Sequence, residues 1–118
     1  MKKILIVENS FLLADSLAEL LSQKYMVHTC HGADIQTSVK ELRPDALIVN
    51  IRVAGIDSLI DLYKTAVAPP ILFIITDILT EQLLLTATAI GASHIALIPF
   101  SLRTFVQRLD ELICGYDH

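Results

Sequence analysis

Charged residues are scarce in this chain: 19% of its 118 residues are Asp, Glu, Lys or Arg against 53% apolar, and the acidic surplus leaves a net charge of −4. That balance excludes a disordered, self-repelling chain, and it gives this domain no general attraction to nucleic acid. Cysteine is nearly missing too. Cys30 and Cys114 show no CxxC spacing, and His28, His31 and His94 are scattered singly, so no zinc site is read and Cys30 is expected to serve as a small hydrophobe at a strand end. Apolar residues never run to the roughly 18 that a membrane span requires. Met1-Lys2-Lys3-Ile4 leads straight into a strand pattern with no small-residue cleavage site, so a cytoplasmic protein without membrane contact is expected. Linkers, internal repeats and low-complexity tracts are also lacking. One domain over residues 1–118 follows, ending at Cys114-Gly115-Tyr116-Asp117-His118 in a way that suits the N-terminal part of a longer protein and a stand-alone chain equally. So apolar a composition in so small a domain leaves surface for a partner to cover.

What the chain does have is a regular alternation. Pro44-Asp45-Ala46-Leu47-Ile48-Val49-Asn50-Ile51-Arg52 reads as a strand buried on both faces, opened by a Pro-Asp turn and closed by the polar Asn50. Lys3–Val7, Ile71–Ile75 and Ile95–Ile98 are similar apolar runs, and Met26–Thr29 is a weaker one broken by His31-Gly32. Between them lie helical stripes. Leu13, Leu17, Leu20 and Leu21 follow an N-cap at Asn9 or Ser10, and Ile35, Val39 and Leu42 stop at Pro44. Ala54-Gly55-Ile56-Asp57 reads as a loop, after which Leu59, Leu62, Tyr63 and Ala66 share a helix face that Pro69-Pro70 ends. A fourth helix spans Thr80 to Ile90 with Gly91 as its C-cap, and the last carries Leu102, Phe105, Val106, Leu109, Leu112 and Ile113. Strand and helix alternating five times predict an α/β fold: a doubly wound, five-stranded parallel sheet in flavodoxin-like order 2-1-3-4-5, with helices on both faces. That order brings Glu8, Asn9, Asn50, Thr76 and Ile98 to the carboxyl ends of neighbouring strands, where such sheets place their chemistry.

Three segments then stand out together. They are Lys3-Ile4-Leu5-Ile6-Val7-Glu8-Asn9, the stretch from Pro44 through Asn50 to Asp57, and Ile98-Pro99-Phe100. In this order and spacing they resemble the receiver domain of two-component response regulators, over essentially the whole chain. The resemblance implies a phosphoacceptor aspartate at position 50, a second acidic residue binding Mg²⁺ at position 9 and a lysine at position 98; the sequence has Asn50, Asn9 and Ile98. Glu8 and the hydroxyl residue Thr76 remain, while Asp77 stands where a small residue is usual and Ile95 where the family carries its switch aromatic. An amide nitrogen with a delocalised lone pair is no nucleophile for phosphoryl transfer. With two of three expected carboxylates and the cation gone, neither Mg²⁺ nor the transferring charge has its usual partners. A lysine left among lost acids would be an unpaired buried charge, so isoleucine is the residue that stability favours at position 98. The expectation is a degenerate, phosphorylation-independent receiver, not an enzyme and without a cofactor, acting through protein contacts and regulating an attached output domain. Ile98-Pro99 also resembles the family's cis peptide bond.

Other readings are weaker on the same residues. A phosphate-accepting receiver would have to use Asp45, Asp57 or Asp77, none of them at a strand end facing a lysine. A residual metal ion would rest on Glu8 and Asp77 alone. A nucleotide or flavin site is disfavoured because Glu8-Asn9-Ser10-Phe11-Leu12 contains no glycine to cradle phosphate. Asn50 is either a stand-in hydrogen-bonded to Glu8, Thr76 or loop backbone, or merely a tolerated polar end. In the fourth helix Leu83, Ala87 and Ile90 can face the sheet, so Leu84 and Leu85 cannot both join them. The resemblance makes the face of this helix, the fifth strand with Ile95 and the last helix the surface for a protein partner or homodimer.

Overall fold

In the computed structural model, which describes residues 1–54, 56–98 and 100–115, every strand is parallel and the sheet order is β2-β1-β3-β4-β5. The strands are β1 (Lys3–Val7), β2 (Met26–Cys30), β3 (Ala46–Asn50), β4 (Ile71–Thr76) and β5 (His94–Leu97). The helices are α1 (Phe11–Leu21), α2 (Ile35–Leu42, led in by a 3-10 turn over Gly32–Asp34), α3 (Ile51–Ala54), α4 (Ile56–Thr65), α5 (Glu81–Ile90) and α6 (Leu102–Gly115). The predicted α/β architecture and strand order are those observed.

Alternate residues of the central strands point to opposite faces, and each face has its own core. Ile4, Ile6, Ile48, Phe73 and Ile75 pack with Leu17 and Leu21 of α1 and Phe105, Leu109 and Ile113 of α6. Leu5, Val7, Leu47, Val49, Leu72 and Ile74 pack with Ile35, Leu59, Leu62 and Ala87 from α2, α4 and α5. Covering both faces is why the strands read as unbroken apolar runs rather than alternating ones. Each fully buried aliphatic side chain contributes about 1.5–3 kcal/mol, so these two layers dominate stability. Cys30 packs against the second layer as a small hydrophobe, and burial raises its thiol pKa.

Five local readings are corrected. The stretch after Asn50 is a helix, α3, rather than strand and loop: the Asn50 Oδ1 accepts the Arg52 N–H at 3.0 Å and turns the chain out of the sheet at once. The fourth helix of the sequence reading is therefore α5. Leu20 is 40% exposed although it falls within the leucine spacing. Ala14, Leu17 and Leu21 centre the buried face of α1, and at about 100° per residue Leu20 lies roughly 90° from that centre. β5 begins and ends one residue earlier than read, because His94 pairs with Phe73 in the ladder and their rings meet edge-on at 6.3 Å. β2 runs one residue further, to Cys30, where it pairs with Val7, and β4 one further, to Thr76, opposite Leu97. The Ile98-Pro99 peptide bond lies outside the described residues.

Candidate functional site

The sheet register assembles the site. Val7 is the partner of Val49, so the next residues, Glu8 and Asn50, leave neighbouring strands side by side. Asn50 donates from Nδ2 to Glu8 Oε2 at 2.7 Å, while its own Oδ1 accepts from Arg52. Glu8 is only 7% exposed; its second oxygen, Oε1, accepts the Ser10 N–H at 2.9 Å as the chain turns into α1. Of the partners the sequence reading named for Asn50, the structure shows Glu8, together with a backbone N–H of the first turn of α3. It does not pair with Thr76, whose buried hydroxyl donates to Ile78 O at 2.9 Å and accepts the Ile78 N–H at 3.3 Å. That bond pair holds the loop after β4.

Ile98 follows β5 and is tied to the same edge by its N–H, which donates to Thr76 O at 2.8 Å. Its side chain packs against the α1/α6 core. With Glu8, Asn50, Ser10 and Ser16, and with Leu12, Leu13, Phe100 and Leu102, it lines an open groove of about 520 Å³. Three of the five predicted pocket residues, Glu8, Asn50 and Ile98, thus share one cavity. Asn9 and Thr76 lie beside it: Asn9 Oδ1 is 3.2 Å from Nδ1 of His31 across to the end of β2.

Sequence reasoning missed two features here. One is the ion pair of Arg52 Nε with Asp77 Oδ1 at 2.9 Å, which joins the ends of β3 and β4. The other is the apolar wall made by Leu12, Phe100 and Leu102, which were read separately as part of the loop after the first strand, of the Ile98-Pro99-Phe100 segment and of the last helix. Arg52 stands two residues past the strand end, which is the one sequence signal for the first.

The receiver-type Mg²⁺ ion does not fit these residues. A hard cation needs several oxygen donors, yet Glu8 is the one carboxylate among the described residues lining the groove, Asn50 turns its NH₂ toward Glu8, and Asn9 faces His31. Asp77 is held by Arg52, and among the described residues no cluster of three His, Cys, Asp or Glu side chains forms. Asp45 is at the opposite edge of the sheet, accepting the Lys3 N–H at 2.8 Å, and Asp57 is exposed in the first turn of α4.

The proposed outer face is partly apolar. Leu84 and Leu85 are both exposed, at 44% and 66%, and Leu97 of β5 is 44% exposed. Ile95 is half-buried and packs inward against the core layer that contains Ala87.

No family model and no curated protein matches this sequence. Solved structures do. The non-phosphorylated HemR receiver domain from Leptospira biflexa superposes with a TM-score of 0.86 at 24% identity, over 96% of this chain and 94% of that one. The BeF3-activated N-terminal receiver domain of RstA from Klebsiella pneumoniae gives 0.82 at 18%, over 95% and 98%. A DNA-binding response regulator of the LuxR family from Staphylococcus aureus gives 0.83 at 17%, over 96% and 99%. The fold of this chain is the fold of receiver domains.

Proposed function

We propose that this chain is a receiver-type signalling domain of a response regulator that works without accepting a phosphoryl group, as a cytoplasmic protein-binding module rather than an enzyme. The observation that carries the reading is the bond from Asn50 Nδ2 to Glu8 Oε2 at 2.7 Å, which puts an amide-to-carboxylate latch in place of a nucleophile and metal ligands. A carboxylate nucleophile, a second acid and an opposing cation are what in-line phosphoryl transfer requires of such a pocket. Here the corresponding positions hold Asn50, Asn9 and Ile98. Fixing Glu8, Asn50 and the first turn of α3 together favours one conformation in place of a two-state switch. Incubation with acetyl phosphate and Mg²⁺ followed by intact-mass measurement tests the reading. An unchanged mass is expected; stoichiometric gain of one phosphoryl group would overturn it and turn attention to Asp77.

The output surface of this reading is the face of α5, β5 and α6. Leu84, Leu85 and Leu97 leave apolar area exposed there, and a second copy of the chain or a protein partner would cover it. Leu84→Glu and Leu85→Glu are each expected to reduce self-association in sedimentation while leaving the circular-dichroism spectrum unchanged. Assembly unaffected by both would remove this surface from the proposal.

A further inference from the structure

The groove beside Asn50 has a composition that a signalling pocket emptied of its chemistry does not need. Its floor is a carboxylate more than nine-tenths buried, and its walls are mostly apolar, Leu12, Leu13, Ile98, Phe100 and Leu102, with Ser10 and Ser16 beside them. Each oxygen of Glu8 accepts one hydrogen bond, and both donors are neutral amides. A carboxylate has about four lone-pair sites, so acceptor capacity remains on both oxygens. No ion pair among the described residues includes Glu8. Buried carboxylates are normally matched by a cation, because desolvation penalises an unpaired charge.

From this charge complementarity we infer that the groove is a binding site for a small organic cation: a primary ammonium on an apolar body. The inference rests on the reading that the pocket does not hold a phosphoryl group. The ammonium donates to the free lone pairs of Glu8, and the apolar body lies along Ile98, Phe100 and Leu102 with Leu12 at the mouth, where it is 83% exposed. An anion would meet Glu8 without a compensating cation, and a small hydrated metal ion would find hydrocarbon where it needs oxygen donors. The cavity, about 520 Å³, falls within the range of small-molecule sites. An occupant there contacts α1, β3 and the segment after β5 at once, so its binding stabilises the latch conformation by mass action.

The test uses 4-phenylbutylamine and its neutral counterpart 4-phenylbutan-1-ol, titrated into the whole ¹⁵N-labelled chain. The amine is expected to shift the amide resonances of Ser10, Asn50 and Ile98 saturably, with an affinity about tenfold or more above that of the alcohol, as one charge-assisted contact in a desolvated site provides. Glu8→Gln is expected to bring the two ligands to equal affinity. Ile98→Lys, which tethers a competing ammonium in the groove, is expected to abolish amine binding and serves if the Glu8 variant does not fold. Equal binding of amine and alcohol to the unaltered chain, absence of saturable shifts, or full amine affinity in the Ile98→Lys protein would each overturn the inference. Failure of the underlying reading shows separately, as phosphoryl mass gain from acetyl phosphate.

Discussion

Replacing Asn50 by aspartate tests the latch at the level of two atoms. The change converts the 2.7 Å donor-acceptor contact with Glu8 into two facing carboxylates. Like charges at that distance raise one pKa and destabilise the ionised pair. Asn50→Asp is expected to lower stability at pH 7 by about 1–3 kcal/mol, with part of the loss recovered near pH 5 as one proton is shared, measured by denaturant unfolding at both pH values. An equally stable or more stable variant at pH 7 would mean that the amide is not what holds Glu8. Much at this scale was legible beforehand. Glu8 and Asn50 end neighbouring strands by simple position, and the missing acid and lysine could be read residue by residue. The Arg52–Asp77 and Asn9–His31 pairs were not, because both depend on how loops leave the sheet rather than on any periodicity.

At the level of elements, the reading failed where a side chain rather than a period sets the backbone. Asn50 starts α3 by accepting the Arg52 N–H, so Ala54 ends one helix and Ile56 and Asp57 begin the next where a loop was read, Gly55 lying outside the described residues. Gly32 shows the other side of the same junction: it is buried, and a Cβ there would overlap the carbonyl of Val53 in α3. Gly32→Ala is expected to cost about 1–3 kcal/mol through forced displacement of α3, and to shift amide resonances from Ile51 to Val53. Gly91, by contrast, has φ of +83° and open space around it. Gly91→Ala is expected to cost about 1 kcal/mol from backbone strain alone, without perturbing distant resonances; the calorimetric midpoint distinguishes the two. The C-cap of α5 was readable because Gly91 acts locally; its N-cap was not, since Thr80, read as the first helical residue, instead precedes the helix with its Oγ1 accepting the Leu83 N–H at 3.0 Å. The exposure of Leu20 was not, since leucine spacing alone does not say which side of a stripe faces the sheet.

For the molecule as a whole, strand order and both core layers followed from five apolar runs separated by amphipathic helices, because a parallel sheet covered on two faces has few ways to close. Its pH response was not readable. His94 sits against the rings of Phe73 and Phe105 at the β5 edge, and burial, with a smaller effect from Arg108, lowers its pKa. The folded state therefore binds a proton less readily than the unfolded chain. Stability from this group is present above the unfolded value near 6.5 and is lost as pH falls toward the depressed folded value. His94→Phe is expected to flatten the denaturation midpoint between pH 7.5 and 5.5. The central claim concerns the pocket itself, where an amide, a carboxylate and an aliphatic wall replace an ionic site. Calorimetric titration of the chain with beryllofluoride and Mg²⁺ tests it most directly. No saturable heat and no shift in melting temperature are expected; stoichiometric binding that disappears in Glu8→Gln would contradict it.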